Sequence, residues 1–249
     1  MASFTYWYNK EETLNTFNVH LYSDWSMDLS TEVKIAYKEV ETSQAPNQKN
    51  IGDVTVYTDE DYRGRPASRI AFGPDQYRHG NELDNQTLSL RFAGEYLYGD
   101  HVIGFGIEHE SIDVRNLFAP DSLGRWEFDS IEDFRNQEAS EFYYSNAYTN
   151  NSEDAAAKFS FGSTSIFVED AWAITPELEI TAGLRYETVH NDEKPAFNQN
   201  FYDRYQTNGA YGQLRNDVSL DGLDIILPRV SFVWDVNYDT VVRGGIGRF

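Results

Sequence analysis

From Thr164 to Val189 the chain reads TSIFVEDAWAITPELEITAGLRYETV, two extended runs around a very short turn. In the second run Leu178, Ile180, Ala182, Leu184 and Tyr186 alternate with Glu179, Thr181, Gly183, Arg185 and Glu187. A period of two belongs to a strand, whose successive side chains leave on opposite faces. One face of this hairpin is apolar and the other polar.

The same alternation predicts three further hairpins. Phe17, Val19 and Leu21 oppose Asn18, His20 and Tyr22, and after a turn at Ser26-Met27-Asp28 a second strand runs from Leu29 to Val40. Residues 1–13 fit the outer end of a strand or a loop. Thr87 to Tyr98 sets Leu88, Leu90, Phe92 and Tyr96 against Ser89, Arg91 and Glu95, turns at Gly99-Asp100, and returns from His101 to about Ser111 with Ile103, Phe105 and Ile107 opposite Gly104, Gly106 and Glu108. Ile225 to Val236 turns at Asn237-Tyr238-Asp239 and returns from Thr240 to Phe249.

Between the hairpins lie long polar stretches, Glu41–Asn85, Ile112–Ala157 and Asn191–Asp224. Within them Val54 and Val56 with Ser68–Phe72 suggest a strand pair, and Asp129–Gln137 and Ser152–Ala157 suggest helical turns. Connections of that length are unusual in a compact soluble domain. They alternate strictly with the tight turns, so antiparallel neighbours place every tight turn at one end and every long loop at the other. Outer-membrane barrels have this asymmetry. Trp25, Tyr96 with Tyr98, Trp172, and Trp234 with Tyr238 stand beside the tight turns, where a girdle of amphipathic rings is expected at the headgroup level. The expected fold is all-β: an antiparallel up-and-down transmembrane β-barrel, here a fragment of about eight strands with long extracellular loops.

The run Phe167-Val168-Glu169-Asp170-Ala171-Trp172-Ala173-Ile174-Thr175-Pro176-Glu177-Leu178, followed by Gly183-Leu184-Arg185-Tyr186-Glu187, resembles the mid-barrel hairpin of TonB-dependent outer-membrane receptors. Leu227-Pro228-Arg229-Val230-Ser231-Phe232-Val233-Trp234-Asp235 and Arg243-Gly244-Gly245-Ile246-Gly247-Arg248-Phe249 resemble the next hairpin, in its Oar-like branch. The resemblance covers about the last third of the chain. It implies a parent in the bacterial outer membrane that binds and imports a scarce ligand: an iron chelate, an oligosaccharide or a peptide. The partners so implied are outer-membrane lipid, that ligand, and the TonB complex acting through a plug domain of the parent. Residues 1–249 then form one barrel segment without the plug, truncated at both ends. Phe249 also mimics the terminal aromatic of a complete eight-stranded barrel, but Gly247, Gly245 and Arg243 are poor choices for a membrane-facing closing strand.

Composition narrows the picture. Cysteine is absent, which excludes disulfides, thiolate metal sites and cysteine nucleophiles. The net charge of -21 argues against a nucleic-acid partner. Mean hydropathy is -0.60, and no run reaches the ~18 to 20 apolar residues of a spanning helix. A barrel strand escapes that test, because only alternate residues over ~9 to 11 positions need be apolar.

No hydrolase, metalloprotease or nucleotide-binding motif occurs, so the chain is not expected to be an enzyme and no cofactor is implied. His101 and His109 share a face but lie about 26 Å apart along a strand. The acidic clusters Asp59-Glu60-Asp61, Asp129 with Glu132 and Asp133, and Glu153-Asp154 do not fit the twelve-residue calcium loop, and no metal site is assigned. Glu32, Lys34, Arg91, Glu95, Arg185 and Glu187 fall on the polar face as interstrand ion pairs; Arg91, Glu95, Arg185 and Glu187 are the candidates for facing a lumen or plug. Trp126, Tyr143, Tyr144, Tyr202 and Tyr205 are loop aromatics with which a ligand can be gripped. The rival architecture is a secreted soluble β-sandwich that binds carbohydrate through those rings, with both apolar faces turned inward.

Overall fold

The computed structural model describes residues 3–60, 66–191, 193–205 and 214–248. Its strands are β1 (Tyr8–Asp24), β2 (Leu29–Pro46), β3 (Asp53–Glu60), β4 (Pro66–Phe72), β5 (Asn81–Tyr98), β6 (His101–Phe118), β7 (Arg125–Phe128), β8 (Glu141–Tyr143), β9 (Ala157–Thr175), β10 (Leu178–His190), β11 (Asp224–Asn237) and β12 (Thr240–Gly247). Two short helices, α1 (Ile131–Asn136) and α2 (Gln199–Arg204), lie in the second and third insertions. An eight-stranded sheet has the order β1-β2-β5-β6-β9-β10-β11-β12, and a four-stranded one the order β4-β3-β7-β8. The eight-stranded sheet is open, with β1 and β12 as its edges.

All four expected hairpins are present, with their tight turns where the alternation breaks. Gly99 takes φ +59°, the left-handed conformation that a two-residue hairpin turn demands. Adjacent tight turns are joined by backbone hydrogen bonds, from Leu97 N to Asp28 O, Ala173 N to Asp100 O and Asp235 N to Glu177 O. These bonds gather the tight turns along one edge of the sheet.

The strands are longer than the alternation suggested. β1, β2, β5, β6 and β9 run 17 to 19 residues, well beyond the ~9 to 11 that cross a bilayer. Residues 8–15, 41–46, 81–86 and 112–118 are therefore strand. Outside the hydrocarbon neither face must be apolar, so these extensions carry no hydrophobic period to read.

The chain divides into two compact units. One comprises residues 16–38, 86–113 and 159–249. Here Ile180 pairs with Trp172 and Phe232, Leu184 with Val168 and Pro228, and Tyr186 with Ile166 and Ile226, so one face of three strands is apolar in register. That face is uncovered: Leu184 is 49% exposed, Val168 48% and Val230 49%. No hydrophobic residue of this unit is buried among the described residues. A sandwich sequesters such a face against a second sheet, and the described residues of this unit form none. The sandwich is thereby set aside.

Register also corrects the reading of the last strand. Val242 pairs with Trp234, Gly244 with Phe232 and Ile246 with Val230, so Val242, Gly244 and Ile246 continue the apolar face. Arg243 and Gly245 stand on the polar face. Phe249 lies outside the described residues.

The other unit comprises residues 1–15, 39–85 and 114–158 and holds the buried hydrophobics Val54, Val56, Leu117, Ala119 and Phe128. The first two insertions are not separate loops. β3 pairs antiparallel with β4 and parallel with β7, Val54 opposite Trp126 and Val56 opposite Phe128, and β7 pairs with β8. Phe72 and Trp126 pack on that core. Phe134 of α1 meets Phe72 and Phe128 edge-on, at 5.6 and 5.2 Å between ring centroids. Ser130 caps α1 by accepting the Asp133 N–H, and this Ser–Asp arrangement holds the helix over the sheet. The helical turn expected near residue 152 is present as a 3-10 turn, Ser152–Ala155.

Candidate functional site

Alternation places a row of charges on the polar face of the eight-stranded sheet, and interstrand spacing brings them into contact. Glu32 on β2 is met by His20 at 2.6 Å, Lys34 at 2.8 Å and Arg91 Nε at 3.4 Å. Arg91 also donates to Glu108 on β6, and Arg185 Nη1 reaches the same carboxylate at 2.6 Å. Arg185 Nε contacts Glu187 at 3.3 Å, and Arg229 pairs with Glu169. The Arg91 guanidinium lies 5.6 Å above the Phe167 ring. A shallow concavity of about 240 Å³ is lined by Arg91, Glu108, Phe167, Glu169, Arg185 and Arg229, among others. Glu95 lines a neighbouring concavity and makes no ion pair among the described residues. In barrels of this type the polar face lines the lumen.

Glu108 is the member that sequence reading did not single out. The signal was available: it lies on the face shared by Gly104 and Gly106, whose missing side chains make room for Glu169 and Phe167. What sequence could not supply was the reach of Arg185 past β9.

The loop aromatics divide between the two units. In the insertion unit Trp126 is half-buried against the core, 5.0 Å from Phe142. Tyr143 emerges on the opposite face of its strand under the Arg125 guanidinium, 3.9 Å from the ring centroid, and donates to Glu141. Tyr144 stacks with Phe142 at 6.4 Å and bonds to Asn150 and Asn146. In the other unit Tyr202 packs on Phe197 at 5.6 Å and Tyr205 on Phe201 at 4.8 Å.

The acidic clusters are largely engaged. Asp133 caps α1 with Ser130, Asp129 accepts from Ser140 at 2.9 Å, Glu153 binds Arg115 at 2.7 Å, and Asp154 accepts from Thr149. Asp61 lies outside the described residues. Among the described residues no group of three or more His, Asp and Glu is arranged to hold a metal ion.

One carboxylate in the insertion unit departs from this pattern. Asp53 is 5% exposed; its Oδ2 accepts the Gln76 N–H at 3.2 Å, while Oδ1 is buried without a partner. Burial raises its pKa to about 6; Asp75 and Asp121 push the same way, against the Gln76 amide and Arg125. In the same unit His79 accepts the Leu123 N–H on Nδ1 and donates from Nε2 to Pro74 O, both at 3.2 Å, and burial lowers its pKa.

A family model described as an outer membrane beta barrel domain matches residues 5–249. No curated protein sequence matches the chain. Among solved structures, the chain is similar to the ferric-catecholate import receptor Fiu from E. coli K12, with 11% identity and a TM-score of 0.50, over 98% of this chain and 36% of that one. It is also similar to the outer membrane transporter YddB from Escherichia coli, with 10% identity and a TM-score of 0.53, over 96% of this chain and 26% of that one. The chain thus spans about a third or less of the length of those chains. At such identities the likeness is one of fold.

Proposed function

The chain belongs to the outer membrane beta barrel domain family of the bacterial outer membrane, and from that premise we propose that it is one segment of the wall of a TonB-dependent receptor that captures and imports a scarce ligand. The ligand is an iron chelate, an oligosaccharide or a peptide. In this reading the long insertions are extracellular and bind it, and the charged polar face lines the passage beside a plug that the TonB complex pulls upon.

The observation that carries the proposal is the joint folding of the first two insertions. Loops that only join strands need no core, yet these share a four-stranded sheet packed on Val54, Val56 and Phe128. A surface held in one conformation binds a ligand without first losing conformational entropy, which is what capture from dilute solution requires.

The test is made in the parent cell with the full-length gene. A strain lacking the gene is compared with strains restored by the intact gene or by one lacking residues 119–156. Each is offered a ferric catecholate as sole iron source, neutral oligosaccharides as sole carbon source, or a peptide mixture as sole nitrogen source. We expect uptake of one class to require the intact gene and to stop when the proton gradient is collapsed. Equal uptake of all three classes in every strain would refute the import reading.

A further inference from the structure

Three rings line one side of β7 and β8. Trp126 and Phe142 stand opposite each other in register, 5.0 Å apart with their planes at 39°. Phe142 and Tyr144, two residues apart, stack at 6.4 Å and 9°. The ladder is held from behind: a Cβ built on Gly52 or Gly124 would come within 2.4 Å of the Trp126 ring, so that ring has no room to retreat. Its far end is also fixed. The Tyr144 hydroxyl donates to the Asn150 side-chain oxygen and accepts from Asn146 Nδ2 at 3.1 Å, and Asn146 Oδ1 accepts the Ala147 N–H at 2.8 Å. Phe142 nevertheless stays 56% exposed and Tyr144 49%.

Immobile aromatic faces with side-chain amides along their border match the two-sided chemistry of a pyranose ring, whose C–H face is apolar and whose rim is hydroxyl. The charge around the ladder sorts the candidate ligands. Residues 119–156 carry nine carboxylates against two guanidinium groups, which repels a polyanionic chelate and spares a neutral one. A peptide captured by strand addition needs a long free edge, and β8 offers three residues.

We infer that the Trp126–Phe142–Tyr144 ladder is a binding platform for a neutral oligosaccharide. This rests on the import reading and deepens it, by naming the ligand class that the insertions take.

The test uses the full-length protein folded in detergent and titrated calorimetrically with neutral gluco-, xylo- and manno-oligosaccharides, then with a ferric catecholate and a peptide mixture. At least one saccharide binds, and Phe142→Ala and Tyr144→Ala each weaken it about tenfold, the loss expected of one stacked ring. Tyr144→Phe keeps the ring and loses only a few-fold. Phe142→Leu keeps the apolar bulk that the fold sees but lacks the flat face, so it falls with the alanine variant while protease resistance is unchanged. If no saccharide binds, or Phe142→Ala and Phe142→Leu bind like the wild type, the platform is not a saccharide site. Binding of the chelate or the peptides at these rings overturns the saccharide class and leaves the import reading standing.

Discussion

Arg185 Nη1 donates to Glu108 Oε2 at 2.6 Å although 77 residues separate them in sequence. The other oxygen of Glu108 accepts from Arg91, so a single carboxylate links β5, β6 and β10 on the polar face. Two guanidinium groups lean on one acid, and that acid is the point at which the row of charges is most sensitive.

Glu108→Gln keeps the shape and removes the charge. The groups are about a third exposed, so solvent screens them, and we expect a loss of about 1 to 2 kcal/mol in denaturant unfolding from detergent. The loss shrinks when salt is raised, as screening weakens the wild-type pairs. An unchanged unfolding midpoint at low salt would mean that the row adds nothing to stability.

Gly106 sits where neighbours leave no room for a side chain. A Cβ there would lie 2.6 Å from the Phe92 carbonyl oxygen and 2.7 Å from the Phe167 ring. Gly106→Ala is expected to cost about 1 to 3 kcal/mol, the usual range for overpacking. Combining it with Phe167→Leu restores only part, because the Phe92 backbone cannot withdraw. Full rescue by Phe167→Leu would show that the ring alone sets the constraint.

Phe128 is the aromatic at the centre of the insertion unit, 7% exposed. Phe128→Ala should cost that unit about 3 kcal/mol or more and open residues 119–156 to protease. Amide exchange in β9 and β10 should stay slow, because their backbones are paired with each other and with β11 within the eight-stranded sheet. Loss of protection in both units together would show that they unfold as one.

Asp53 supplies a pH dependence with a definite sign. Its pKa is about 6 in the fold against an ordinary 3.8, so the fold prefers the protonated acid. The stabilisation is complete below about pH 4 and is lost as pH rises through 6. Asp53→Asn keeps an acceptor for Gln76 and carries no charge. Its advantage over the wild type should be about 2 to 3 kcal/mol at pH 8 and vanish near pH 4. His79 works oppositely, costing stability as pH falls below about 6.5, so only the difference between the two proteins isolates Asp53. Parallel stability curves for the two would remove the claim.

Much of this was legible in the sequence wherever a membrane-length strand imposed a period. Leu178 through Tyr186 marked which residues share a face, and Gly99-Asp100 marked a turn. Strand extensions such as 112–118 were missed because the buried Leu117 shares its face with Asp113 and Arg115, so no hydrophobic alternation shows there. The parallel pairing of Asp53 with Arg125 joins segments some seventy residues apart, and no local pattern encodes such a partner. Trp126 read as a free loop ring for the same reason. The alternation of Trp126 and Phe128 with Arg125 and Glu127 marked a strand with one apolar face, but what covered that face lay in the other insertion.

The central claim is that the exposed apolar face of β9 to β11 meets hydrocarbon. The chain has no cysteine, so single spin labels at Val168→Cys, Leu184→Cys and Val230→Cys can be compared with labels at Thr181→Cys and Ser231→Cys on the polar face. In lipid vesicles the first three should be relaxed by dissolved oxygen and shielded from a water-soluble nickel chelate, and the last two should show the reverse. Equal access of the nickel chelate to both sets, or its preference for the first, would contradict a membrane wall.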